Sequence, residues 1–216
     1  MKMKLFTVAM GLAFTATAFT ASAQKAYKQG LAIVSMNVMG QAIDAKSYFT
    51  VDSAALEFAT GPASIKVITD SKSTFMAFLV DIPVASRKIA AVATPAEIEE
   101  ETGKFPKLTF APTTETKVIN GFNCKKVVAT NPQDNKTYDI WVTNDISLPL
   151  GANSKFYEKA GGVPVQYYSF QNGQAAQVTL KSVTEQAVPK GYFRIPADFD
   201  RITMEEFNAM RGGGGN

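Results

Sequence analysis

The sequence predicts a mainly β protein, an antiparallel sheet with two or three short helices. Three observations predict it. Apolar and polar residues alternate over many short runs, Asn-Gly pairs stand at Asn120-Gly121 and Asn172-Gly173, and helix-start signals are confined to two short stretches. Asn-Gly supplies the two positive φ angles of a type I′ hairpin turn, so each pair closes a two-residue loop between antiparallel strands.

The chain opens on an export signal. Lys2 and Lys4 make a basic start, residues 5–19 are apolar or small, and Ala21-Ser22-Ala23 fits the small-x-small rule, which places cleavage after Ala23. The apolar run is short for a spanning helix and no stop-transfer charge follows it, so no transmembrane segment is expected in the mature chain. The product is expected to be soluble in the periplasm or outer envelope. Removing 23 of 216 residues leaves 216 − 23 = 193, the length of one domain with an adequate core, expected over residues 24–211 ahead of a flexible Gly-rich tail, 212–216. The formal charge of +3 loses Lys2 and Lys4, and 3 − 2 = +1 gives no basic footprint for nucleic acid. Cys124 is the only cysteine, so no intramolecular disulfide forms, and the thiol reads as a small hydrophobe packed in a strand.

In chain order, Ala32, Val34, Met36 and Val38 alternate with Ile33, Ser35 and Asn37 in a half-buried strand that ends at Gly40. Short strands are expected at 48–51 and 56–58, then at 65–69 and 74–80 around the turn Asp70-Ser71-Lys72-Ser73. The last of these is apolar on both faces, Phe75, Ala77 and Leu79 on one and Met76, Phe78 and Val80 on the other, and must be covered twice. A strand at 89–93 leads into a helix. Thr94 caps it, Pro95 takes the first helical position, Glu97 completes a Thr-x-x-Glu capping box and Gly103 ends it. Its glutamates are a solvated face rather than a metal site.

A three-strand meander follows over residues 116–145. The Asn120-Gly121 turn sets Ile119 opposite Phe122, Lys117 opposite Cys124 and Glu115 opposite Lys126, and the chain returns through Tyr138-Asp139-Ile140-Trp141-Val142-Thr143. Residues 150–162 form a glycine-framed loop carrying Phe156 and Tyr157, which either cover a groove or pin the loop to the body. The Asn172-Gly173 hairpin pairs Phe170 with Ala175, Tyr168 with Gln177 and Tyr167 with Val178, which gives an apolar and a mixed face. A small helix opens at Thr203 with Glu206 three residues on, and Ile202 and Phe207 form a hydrophobic staple.

Four segments together resemble a known family: ITDSKSTFMAFLVDIP with KIAAVATPAEIEEE, TKVINGFNCKKVVAT with YDIWVTNDI, GGVPVQYYSFQNGQ, and FRIPADFDRITMEEF. They are similar to the exported proteins of domain of unknown function 4412, common in Bacteroidetes-type bacteria, with a fold like that of the LolA and LolB lipoprotein carriers. The resemblance implies a strongly curved antiparallel sheet, an incomplete barrel closed on one side by short helices. In those carriers the concave side holds acyl chains.

Chemistry narrows the function classes. The chain contains no histidine, which excludes histidine triads, His-ligated zinc and imidazole acid–base catalysis. No P-loop, dinucleotide fingerprint or calcium loop occurs, and no enzyme activity, cofactor or metal is expected. The expected partner is a lipid or other hydrophobic small molecule, held in a concave cavity lined from among Phe75, Phe78, Trp141, Phe156, Tyr157, Tyr168 and Phe170. The alternative is an envelope scaffold that binds another envelope protein and no small molecule. Sequencing of the exported protein is expected to begin at Gln24; a membrane-bound product that keeps residues 1–23 is the contrary outcome.

Overall fold

The computed structural model describes residues 24–38, 41–149, 154–171 and 174–212. The expected leader, the last four residues and the second Asn-Gly turn lie outside them. The strands are β1 (Lys25–Ala26), β2 (Gly30–Val38), β3 (Gln41–Phe49), β4 (Ser53–Thr60), β5 (Ala63–Asp70), β6 (Met76–Ile82), β7 (Arg87–Val92), β8 (Thr109–Ile119), β9 (Phe122–Thr130), β10 (Thr137–Thr143), β11 (Ile146–Ser147), β12 (Val163–Gln171), β13 (Gln174–Thr184) and β14 (Asp200–Thr203). The α-helices are α1 (Pro95–Gly103) and α2 (Met204–Gly212), and 3-10 helices span Pro83–Ala85 and Ser154–Ala160.

Twelve strands form one sheet in the order β14-β7-β6-β5-β4-β3-β2-β13-β12-β10-β9-β8. It is mainly antiparallel and does not close, since β14 and β8 stand at its two edges. One pairing departs from the antiparallel expectation: β14 lies parallel to β7, because the chain crosses the sheet after β13 and arrives at that edge in the same direction. β1 and β11 make a separate parallel pair.

The first Asn-Gly turn folds as its chemistry dictates, with φ of 51° at Asn120 and 85° at Gly121. Ile119 faces Phe122 and Lys117 faces Cys124, while Lys126 reaches Glu115 at 3.0 Å and Asp139 at 2.8 Å. This hairpin also reports the curvature. Its Asn120 Nδ2 donates to the Leu180 carbonyl at 2.9 Å, and Lys117 Nζ donates to Gln166 Oε1 at 3.3 Å. In a flat sheet β9 and β13 would stand three strand spacings apart, about 14 Å, so the sheet curls until its end touches its middle. The concave side holds a core of Val34, Ala45, Phe49, Val165, Val178 and Leu180, joined by Cys124 from β9.

Strand β6 is covered twice, as its composition requires. Ala77 and Leu79 pack with Ala55, Ile68 and Ala90 beneath Tyr192, Phe193, Ile195 and Phe199. Met76, Phe78 and Val80 face the opposite side and meet Ile98 of α1 with Met204 and Phe207 of α2. The chain thus crosses one face, adds β14 at the edge, and returns over the other face as α2. Both helices begin with the expected boxes. Thr94 Oγ1 accepts from Glu97 N–H at 3.3 Å while Thr94 N–H donates to Glu97 Oε2 at 2.7 Å, and Thr203 and Glu206 repeat the exchange at 3.1 and 2.8 Å. Glu100 and Glu101 of α1 pair with Lys104, which fits a solvated face.

Phe207 stacks on Phe78 with ring centroids 5.9 Å apart. Phe207→Ala is expected to destabilise the protein by about 3 kcal/mol in urea unfolding, whereas Val84→Ala, at a side chain 81% exposed, leaves the midpoint unchanged.

Candidate functional site: an apolar trough and an aromatic seam

Across β2 to β6 the concave face is built from alternate residues of each strand, and strand register aligns them into rows. Met36 pairs with Ile43, Leu56 pairs with Val67 and Phe58 with Ile65, and Val67 and Ile65 continue to Phe78 and Val80. Gln41, Ser47, Thr60 and Thr69 are polar members of this face. α1 and α2 cover its β6–β7 end, and the β8–β9 turn curls over the other, where Ile119 and Phe122 join the concave core. Between these covers Met36, Ile43, Leu56, Phe58, Ile65 and Val67 are only half-buried. They form an apolar trough.

The sequence-predicted site residues divide among four places. Trp141 belongs to the concave core, with Lys117 Nζ 4.0 Å from its ring centroid. Phe78 lies on the same face of the sheet but beneath α2. Phe75 packs on the opposite face with the crossing segment. Phe156, Tyr157 and Tyr168 come together in a separate cluster beside β9 and β10, which Phe170 joins through ring contacts with Phe105 and Tyr138. The trough residues themselves escaped the sequence reading, because their signal is a period of two in strands judged shorter than they are.

That separate cluster fills a split in the sheet. β10 pairs with β9 along its whole length, yet with β12 only at Trp141–Gln166, Val142–Pro164 and Thr143–Val163, with an irregularity after the first. Pro164 has no N–H for a ladder. Past Gln166 the strands part, and Tyr157 takes the place of the missing neighbour: its hydroxyl donates to the Tyr168 carbonyl and accepts the Tyr168 N–H at 3.3 Å. Tyr157 is fully buried, so this part of the 150–162 loop is pinned to the body. Around it Phe105 stacks on Phe156 at 3.7 Å, and Tyr138 meets Tyr168 at 5.1 Å and Phe170 at 5.2 Å.

Burial raises the Cys124 thiol above its ordinary value, which disfavours the nucleophilic thiolate. Among the described residues no three Cys, Asp or Glu side chains gather as a metal-binding group, and no helix is long and apolar enough to cross a membrane. A depression of about 510 Å³ beside Lys28, Asp52 and Glu185 has mixed charge, with Ala26 and Val51 as its apolar members.

No protein-family model matches the chain, and no curated protein matches it. Among solved structures it is similar to PNGF-II in the C2 space group, with a TM-score of 0.47 and 17% identity over 84% of this chain and 32% of that one. The chain thus spans about a third of that protein's length, and a likeness this distant carries no argument about the site.

Burial holds the Tyr157 phenol well above its ordinary range and pushes Tyr167 up to about 12. A pKa raised by folding contributes stability that is complete below the unfolded value, ~10 for tyrosine, and is lost as pH climbs through the folded value. Stability is therefore expected to fall from about pH 10 upward. Tyr157→Phe is expected to cost about 1–3 kcal/mol at neutral pH, by stranding the Tyr168 backbone groups, and to shallow that alkaline loss; urea titrations across the pH series measure both.

Proposed function

We propose that this protein is a non-catalytic, exported binder of a hydrophobic or amphipathic small molecule, with an acyl chain the best fit, held in the concave trough. The observation that carries the reading is the set of half-buried apolar side chains on one face of the sheet, Met36 and Ile43 in one row with Leu56 and Val67, and Phe58 and Ile65, in others, between two covered ends. Fully burying an exposed side chain of this kind gains roughly 1.5–3 kcal/mol, and these are already half-buried, so an occupant of matching chemistry gains the remaining part at each position. A contiguous apolar surface on a soluble protein marks a contact for something else. The resemblance to lipoprotein carriers leads to the same reading from the sequence side, and the export signal sets the compartment. The absence of histidine and the buried, thiolate-disfavouring setting of Cys124 support a non-catalytic role.

Titration with a fluorescent fatty-acid analogue tests it, with Trp141 of the concave core as the internal reporter. Saturable binding with a change in Trp141 emission is expected for the wild type, and a loss of tenfold or more for Val67→Glu. Val67 is half-buried, so the variant is expected to keep its circular dichroism and melting temperature. No wild-type binding, or unchanged binding by the folded variant, sinks the proposal.

A further inference from the structure

We propose that a second surface, an open groove between the α1–β8 connection and the Ser154–Ala160 helix, docks an acidic segment of a partner protein through one bulky apolar anchor. The groove encloses about 350 Å³. Its floor is Phe105, Leu108, Phe110 and Phe156, all half-buried, with the Phe105 and Phe156 rings stacked at an interplanar angle of 13°. Lys107 stands on one wall, Lys155 and Lys159 on the other. All three are exposed.

Charge complementarity selects the occupant. Lys66, Lys88, Lys104, Lys126, Lys136 and Lys181 each sit within 4 Å of a carboxylate; Lys107, Lys155 and Lys159, like several other lysines among the described residues, form no ion pair, but these three line one groove. Glu158 is the acidic member of the lining, so the groove carries 3 − 1 = +2, against +1 for the whole chain after its leader. An apolar floor between cationic rims matches a peptide that buries one aromatic or leucine side chain and lays carboxylates on either side. An anionic bilayer matches less well, because the apolar groups are recessed between the walls rather than projecting and Glu158 would face the lipid charge. A small molecule in so open a groove would leave much of itself in water, where small-ligand sites bury about 70–90% of the ligand surface.

This surface is independent of the trough. Fluorescence anisotropy with a short labelled peptide, a central phenylalanine flanked by glutamates, tests it on the wild type and on a variant combining Lys107→Gln, Lys155→Gln and Lys159→Gln. Those lysines are exposed, so the variant is expected to fold. Binding by the wild type is expected to weaken with salt and to drop at least tenfold in the variant, or when the flanks become lysine or the phenylalanine becomes alanine. Val67→Glu, which blocks the trough, is expected to leave peptide binding intact. Equal binding by the triple variant, equal binding of the lysine-flanked peptide, or no peptide binding overturns the proposal. Phosphatidylglycerol vesicles that bind the wild type and not the triple variant, with no peptide binding, assign the groove to membrane instead.

Discussion

A strand with no polar face has to be covered twice, and β6 is that strand. β6 and the strands around it carry fully buried alanines, Ala77 on β6, Ala90 and Ala91 on β7 and Ala55 on β4, and these small side chains let covering elements approach the sheet closely. The C-terminal chain supplies one cover and shares the other with Ile98 of α1. Its crossing segment is held at Tyr192, whose hydroxyl donates to the Glu57 carboxylate and whose ring lies 3.7 Å from Lys66 Nζ. β14 then fixes the edge, and the staple of Ile202 and Phe207 directs α2 onto the opposite face. α2 has about two turns, too few to stand alone, so it exists because the sheet receives it.

The other half of the sheet answers a different constraint. Where β12 leaves β10, the ladder between Trp141 and Val142 slips by one residue, and such a slip bends a strand and re-aims its side chains. Cys124 and Trp141 therefore join Val165 and Leu180 on the concave side, while Val127, Ala129, Ile140 and Val142 face the other way, under Tyr157 and Ala160. The aromatic fill of the seam follows from that split, since an unpaired stretch of backbone needs both hydrogen-bond partners and apolar cover.

Much of this was legible in the sequence, for identifiable reasons. Capping boxes and Asn-Gly turns are local chemistry, so α1, α2 and the Asn120-Gly121 register were readable, as were the two faces of Phe75 to Val80. β3 and most of β4 were not. Gln41–Phe49 places Ala42, Asp44 and Lys46 on one face and Ile43, Ala45 and Ser47 on the other, and alanine and serine blur the contrast on which alternation depends. The candidate site failed for a related reason. Aromatic residues announce themselves in a sequence, whereas the trough is made largely of aliphatics whose shared face appears only when strands are laid in register. The parallel docking of β14 left no local signal, because it is decided by where the crossing segment ends.

An open sheet of this length carries two edges, and their treatment bears on how the trough stays accessible. β14 is four residues long and followed at once by α2. β8 is eleven residues long, but Pro112 interrupts its donors and its pairing to β9 is irregular between Pro112 and Thr116. Proline and irregular pairing are features that keep an edge from accepting another strand. If β8 closed on β14, the concave side would become a barrel lumen and Ile43, Ile65 and Val67 would be sealed within it. The curl stops earlier: Asn120 anchors the hairpin on the Leu180 carbonyl of β13, inside the sheet rather than at its far edge. The same contact that shapes the concave core therefore leaves the stretch over β3 to β5 uncovered, and under the proposed reading that uncovered stretch is where an acyl chain lies.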